Sequence, residues 1–330
     1  MTHFQRIGIV GAGAWGTALA NAIASKNRPV VLYARDPAAA VEMKKSRTNA
    51  ARLPGVALNP EITPTNSLGE AADADAVLLA VPTQSLREIS RELAPMIRNA
   101  LPVVACAKGI ERGSRKFVTE IIRETIPLAQ PAILSGPSFA ADVGRGLPTA
   151  VTLAASDEHL AADLAEALSS QTFRLYHSTD IRGVEIGGAA KNVLAIAAGI
   201  VLGRGLGASA QAALITRGFA ELSRLGRAYS VKPETMMGLS GLGDLILTCS
   251  SPQSRNYAFG FAIGRGQKPA DQSHMPLVEG FFTAPVLADI AREKKVEMPI
   301  VSAVQAVLTG RVNVDTAISG LLSRPLKSES

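Results

Sequence analysis

The chain has 330 residues, 47% of them hydrophobic and 19% charged, with a formal net charge of +6. That length and apolar content exclude disorder and suggest a large core divided between two domains. The basic balance suits an anionic ligand, but no run of Lys and Arg is dense enough for nucleic acid.

Ile7–Val10 reads as a buried strand that begins almost at the N-terminus, so no targeting segment is expected. Gly11-Ala12-Gly13-Ala14-Trp15-Gly16 follows it and opens a helix predicted over 14–25. Further strands are expected at Val30–Ala34, Ala76–Val81, Pro102–Ala107, Ala132–Leu134, Ala150–Leu153 and Phe173–Tyr176. Helical patterns at 85–97 and 157–168 separate some of them. Short, continuous apolar runs rich in β-branched residues indicate a parallel sheet covered on both faces.

From Asp180 onward the strand signals stop, and helices are expected over 184–202, 211–229, 284–293, 300–308 and 315–322. The polar tail from Ser323 to Ser330 reads as frayed. The fold class is therefore α/β: a doubly wound, Rossmann-type domain over 1–180 and an all-helical domain over 181–330. The longest unbroken apolar run, Val193–Leu202, is too short to span a bilayer, so neither membrane insertion nor any compartment but the cytoplasm is expected.

A lone GxGxxG is a weak signal, but here it has the strand before it and the helix after it that a dinucleotide site requires. Gly11 permits a tight turn, Gly13 admits the pyrophosphate, and Gly16 lets the helix pack on the strand. The N–H groups at the helix start, from Ala14, face the phosphate charge. At the end of the second strand, Arg35 would pair with the 2′-phosphate of NADP, whereas an acid such as Asp36 would hold the ribose diol of NAD. Arg35 follows the strand directly and Asp36 leads into Pro37, so NADP is favoured, with NAD the alternative.

Polar clusters stand out in the remainder. Lys108 ends the fourth strand, and Ser135-Gly136-Pro137-Ser138-Phe139-Ala140 ends the fifth. Lys191-Asn192 interrupts a run of Ala, Val and Ile, where a charged lysine either snorkels to water or meets a carboxylate or anion. Asp244 supplies a carboxylate. A lysine held beside it in a dry pocket can have its pKa tuned for the proton transfer that alcohol oxidation needs. Ser254-Arg255-Asn256 reads as an anion clamp or an ordinary loop. His177 reads as structural. Cys106 and Cys249 lie in apolar runs with no CxxC pair, so they read as buried thiols, and no metal is expected.

Taken together these clusters closely resemble the NAD(P)-dependent glycerol-3-phosphate dehydrogenase family in its bacterial form. The resemblance runs through Gly11–Ala18, Lys108-Gly109, Ser135–Ala140, Gly183–Asn192, Ala212–Gly218, Gly238–Asp244, Ser254–Asn256 and Val278-Glu279-Gly280. It implies reversible hydride transfer between NAD(P)H and dihydroxyacetone phosphate, giving glycerol 3-phosphate for phospholipid synthesis. It also implies that Lys191 exchanges the proton, with Lys108, Asn192, Asp244 and Thr248 in the same site. Gly136 and Ser138 would touch the substrate, and Ser254, Arg255 and Asn256 its phosphate. Trp15, Arg35, Lys108, Ala140, Arg255 and Glu279 would contact the dinucleotide, and the assembly would be a homodimer. Leu202, Ala208 and Ser209 depart from the family, where acidic or amide residues are common. The alternatives are another two-domain 3-hydroxyacid or ketoacid reductase, or a non-catalytic dinucleotide sensor.

Overall fold

A computed structural model describes residues 4–269 and 277–325; the end of the tail expected to fray lies outside them. The N-terminal half alternates β1 (Ile7–Val10), α1 (Ala14–Ala24), β2 (Val30–Tyr33), α2 (Pro37–Ser46), β3 (Ile62–Thr65), α3 (Leu68–Ala72), β4 (Ala76–Leu79) and α4 (Leu86–Leu93). It continues through β5 (Pro102–Ala105), α5 (Val118–Thr125), β6 (Gln130–Ser135), α6 (Ala140–Gly144), β7 (Thr149–Ala155), α7 (Glu158–Leu168) and β8 (Phe173–Ser178).

The eight strands form one sheet in the order β3-β2-β1-β4-β5-β6-β7-β8. The first six follow the doubly wound arrangement, whose crevice opens where the order reverses, between β1 and β4. Successive strand residues feed opposite cores. Val30 and Leu32 join one cluster and Val31 the other, as Ala76 and Leu78 separate from Val77 and Leu79. This is why the strands read as unbroken apolar runs. Two features differ from the expectation. β3, Ile-Thr-Pro-Thr, is an edge strand, where a proline costs no ladder bond. β7 pairs antiparallel with β6, because the link through the short α6 brings the chain back along the same end of the sheet.

The helical half comprises α8 (Ile181–Gly203), α9 (Gly207–Ala228), α10 (Pro233–Met237), α11 (Asp244–Ser250), α12 (Arg255–Gly264), α13 (Glu279–Glu293), α14 (Pro299–Leu308) and α15 (Val314–Leu322). A π-helical turn at Leu239–Gly243 leads into α11. α8 is long and apolar enough to cross a membrane by length and composition, yet 89% of its apolar window is buried inside the protein. It is the hub of the third core cluster.

α8 and α12 meet backbone to backbone. A Cβ on Gly199 would fall 2.1 Å from the Tyr257 carbonyl oxygen, and one on Gly260 would fall 2.0 Å from that of Ile196. Gly203 and Gly264 are similarly crowded, so no larger residue fits at this crossing. The crossing brings the start of α12 beside the middle of α8, where Lys191 and Asn192 lie.

Candidate active site

The glycine turn sits at the crevice. Gly11 has φ +114°, and a Cβ there would be 2.6 Å from the Ala80 carbonyl oxygen at the end of β4. A Cβ on Gly16 would be 1.9 Å from the Gly11 oxygen. Both positions therefore need glycine for the fold itself. Gly13 does not: its φ is −75°, and a Cβ would meet nothing within 4 Å. The space above Gly13 is open, and no side chain caps the start of α1, so its first-turn N–H groups are free. This cradle fits a dinucleotide pyrophosphate.

At the end of β2 the two cofactor-selecting candidates separate. The Asp36 carboxylate accepts a hydrogen bond of 2.9 Å from Ala38 N and caps α2. Arg35 is exposed and makes no hydrogen bond or ion pair among the described residues.

The ends of β5 and β6 and helices α8 and α11 converge on a buried cluster. Lys191 Nζ donates to Asp244 Oδ1 at 2.6 Å and to Thr248 Oγ1 at 2.7 Å. Lys108 Nζ donates to Asp244 Oδ2 at 2.8 Å and to the Gly136 carbonyl at 2.7 Å. Side-chain exposure is 8% for Lys191, 15% for Lys108 and 1% for Asp244. Two ammonium groups thus share one carboxylate, which leaves a net positive site. Burial pushes Lys191 down to about 8, against the upward pull of Asp244, with Lys108 adding to the fall. Lysine near neutral pH can both give and take a proton.

A second network joins the two halves. Asn192 Nδ2 donates to the Lys108 carbonyl at 2.7 Å, Asn256 Nδ2 donates to Asn192 Oδ1 at 2.9 Å, and Gly280 N donates to Asn256 Oδ1 at 2.8 Å. Next to Gly280, Glu279 Oε1 accepts from Thr83 N at 3.0 Å, just beyond β4. Burial raises the Glu279 pKa.

Lys108, Gly136, Lys191, Asn192, Asp244, Thr248 and Asn256 are therefore joined in one hydrogen-bonded cluster. Ser138 donates to the Gly136 carbonyl at 3.0 Å, and Ala140 opens α6, which packs against α1. The Trp15 ring turns onto Phe173 (centroids 6.4 Å apart), and its indole N–H is buried without a partner. The expected clamp is built differently from its side-chain reading. Ser254 Oγ accepts from Tyr257 N at 3.2 Å as the cap of α12, and the Asn256 amide is committed to Asn192 and Gly280. What makes no hydrogen bond at the start of α12, among the described residues, is the Arg255 guanidinium and the backbone N–H groups of Arg255 and Asn256. The departing residues lie elsewhere: Leu202 is half-buried near the end of α8, and Ala208 and Ser209 are exposed in the first turn of α9. His177 is exposed, 3.5 Å from Glu158 on the surface. The Cys106 and Cys249 thiols are buried and pushed up to about 12, which leaves them inert.

Sequence reasoning missed Thr83 and Asn49. Asn49 hydrogen-bonds the glycine turn from the α2–β3 connection. Neither carries a motif; only the tertiary fold brings them in.

A doubly wound sheet with an open glycine cradle, together with a buried lysine of lowered pKa held by a carboxylate, defines a dinucleotide-dependent oxidoreductase. Residues 6–161 match the NAD-dependent glycerol-3-phosphate dehydrogenase N-terminus, and residues 180–319 match the corresponding C-terminus. The chain is 60% identical over the full length of both chains to a protein of Azorhizobium caulinodans named glycerol-3-phosphate dehydrogenase [NAD(P)+]. It is 62% identical, again over both full lengths, to one of that name from Bradyrhizobium sp.. The crystal structure of glycerol-3-phosphate dehydrogenase from Coxiella burnetii superposes with a TM-score of 0.91 at 37% identity, covering 97% of this chain and 99% of that one. The chain belongs to the NAD-dependent glycerol-3-phosphate dehydrogenase family.

Proposed function

We propose that this protein interconverts dihydroxyacetone phosphate and glycerol 3-phosphate, using NADP in preference to NAD. The observation that carries the reading is that buried Lys191 and half-buried Lys108 share Asp244. One cation of tuned pKa can exchange the hydroxyl proton, and the second can polarise the developing oxyanion in a water-poor site. Bound nicotinamide supplies or accepts the hydride.

In this reading Lys191 gives its proton to the carbonyl oxygen during reduction and takes it back during oxidation. Asp244 and Thr248 hold its Nζ in place. Lys108, fixed by Asp244 and Gly136, orients the same oxygen. Arg255 and the first-turn amides of α12 hold the phosphate, Ser254 and Asn256 shape that helix start, and Gly136 and Ser138 wall the substrate. Gly11, Gly13, Ala14, Trp15 and Gly16 form the pyrophosphate seat, with Ala140, Lys108 and Glu279 along the dinucleotide. The free guanidinium of Arg35, beside an Asp36 already used as a cap, supports selection of the 2′-phosphate.

The same reading takes residues 1–180 as the cofactor domain and 181–330 as the substrate domain, in a cytoplasmic homodimer that supplies phospholipid backbones. It rests on the family resemblance. The deciding assay follows NADPH absorbance with dihydroxyacetone phosphate in the parent protein and in Lys191→Ala. Oxidation that depends on that substrate and collapses in the variant is expected. No such oxidation in the parent protein overturns the reading.

A further inference from the structure

A glycine turn that aims N–H groups at a phosphate must dispose of its carbonyls elsewhere, because an unpaired buried carbonyl is costly. In this turn Gly11 N donates to the Tyr33 carbonyl, and the Gly13 carbonyl accepts from Thr17 N within α1. The Ala12 carbonyl has no partner in the turn or in α1. It is held from outside by Asn49, whose Nδ2 donates to it at 2.9 Å and to Thr17 Oγ1 at 2.8 Å. Asn49 is 7% exposed, so water does not compete for these bonds.

The segment bearing Asn49 is itself anchored. It leaves α2 at Arg47, in the left-handed region with φ 53°, whose guanidinium donates to the Ile62 and Asn59 carbonyls. Thr48 bridges Ala57. Asn21 on α1 clasps the far end, donating to the Ala57 carbonyl and accepting from Asn59 N, each at 2.9 Å. Leu53 and Val56 are buried in the core cluster that also holds α1.

We infer that Asn49 is a positioning residue for cofactor binding, which fixes the Ala12–Gly13 peptide so that the Gly13 N–H faces the pyrophosphate. The Ala12 carbonyl and the Gly13 N–H belong to one planar trans peptide and point in opposite directions, so pinning one aims the other. This inference rests on the glycine turn being the cofactor's seat.

The test uses the whole enzyme and its sole tryptophan, Trp15, whose fluorescence reports NADPH binding at the turn. Asn49→Asp keeps the shape but removes both donors and sets a carboxylate against the Ala12 oxygen; Asn49→Leu removes the donors without charge. Each folded variant is expected to raise the NADPH Kd about tenfold, the effect of one well-placed hydrogen bond. The KM for dihydroxyacetone phosphate and kcat at saturating NADPH are expected to stay within twofold. Gly13→Val serves as the control for the seat. Normal NADPH binding by the Asn49 variants alongside weakened binding by Gly13→Val overturns the role of Asn49. Normal binding by all three overturns the seat itself. Failure of both Asn49 variants to fold also overturns the proposal, because it assigns Asn49 to stability alone.

Discussion

Lys191 and Lys108 grip opposite oxygens of one carboxylate, Asp244 Oδ1 and Oδ2, at 2.6 and 2.8 Å. Neither ammonium can be discharged or removed without changing the field at the other.

With Lys191 pushed down to about 8, reduction, which needs the ammonium, declines as pH rises through that value. Oxidation, which needs the free amine, increases over the same range. Asp244→Asn removes the main upward pull on Lys191 and so shifts both limbs to lower pH. Lys191→Ala lowers kcat about 10²- to 10⁴-fold. Initial rates in both directions between pH 6 and 10 check this, and limbs that stay in place in Asp244→Asn contradict it.

The glycines of the turn separate into two kinds. Gly16→Ala puts a Cβ 1.9 Å from a carbonyl and is expected to cost about 1–3 kcal/mol of stability. Gly13→Val puts its Cβ where nothing lies within 4 Å and is expected to keep Tm within about 2 °C of the parent while weakening NADPH binding. Thermal melts paired with cofactor titrations distinguish the two, and equal Tm losses would refute the division.

Arg35→Ala is expected to raise the KM for NADPH roughly tenfold or more, the usual worth of a charge-assisted contact to phosphate. Activity with NADH should be unchanged. Steady-state kinetics with both cofactors decide it; an equal loss on each assigns Arg35 to the shared part of the dinucleotide.

Glu221 gives a stability prediction. Its buried carboxylate accepts hydrogen bonds from Ile300 N at 2.7 Å and Val301 N at 3.2 Å at the start of α14, and burial raises its pKa to about 7. The folded state therefore binds this proton more tightly than the unfolded chain does. That contribution is full below pH 4.5 and is lost as pH rises through about 7, on the order of 3 kcal/mol in all. In Glu221→Gln this part of the decline should vanish. Melts at pH 5 and pH 8 measure it, and an unaltered pH slope in the variant counts against it.

Much of the site was legible in the sequence because it uses residues that are costly out of context. A lysine among Ala, Val and Ile needs a partner, and Asp244 is that partner. The strands that carry both cores announced themselves by apolar runs. β3 escaped because Pro64 and the exposed Thr63 erase the alternation at an edge. The π-turn and α11 were hidden by glycines, which lower helix propensity yet are required here: a Cβ on Gly241 would lie 2.0 Å from the Met236 carbonyl oxygen. The roles of Ser254 as a cap and of Asn256 as a bridge were not readable, since a hydroxyl and a carboxamide look alike in sequence whether they face a ligand or the fold.

The backbone contact between α8 and α12 amounts to a caliper. One jaw is the stretch of α8 that carries Lys191, and the other is the tip of α12 with its unclaimed N–H groups and Arg255. Their gap is set by glycines whose every possible side chain would strike a carbonyl, so it cannot drift with ordinary side-chain substitution. On the proposed reading, a three-carbon phosphate is recognised partly as a length. A substrate one carbon longer or shorter would miss one jaw whichever charges it carried.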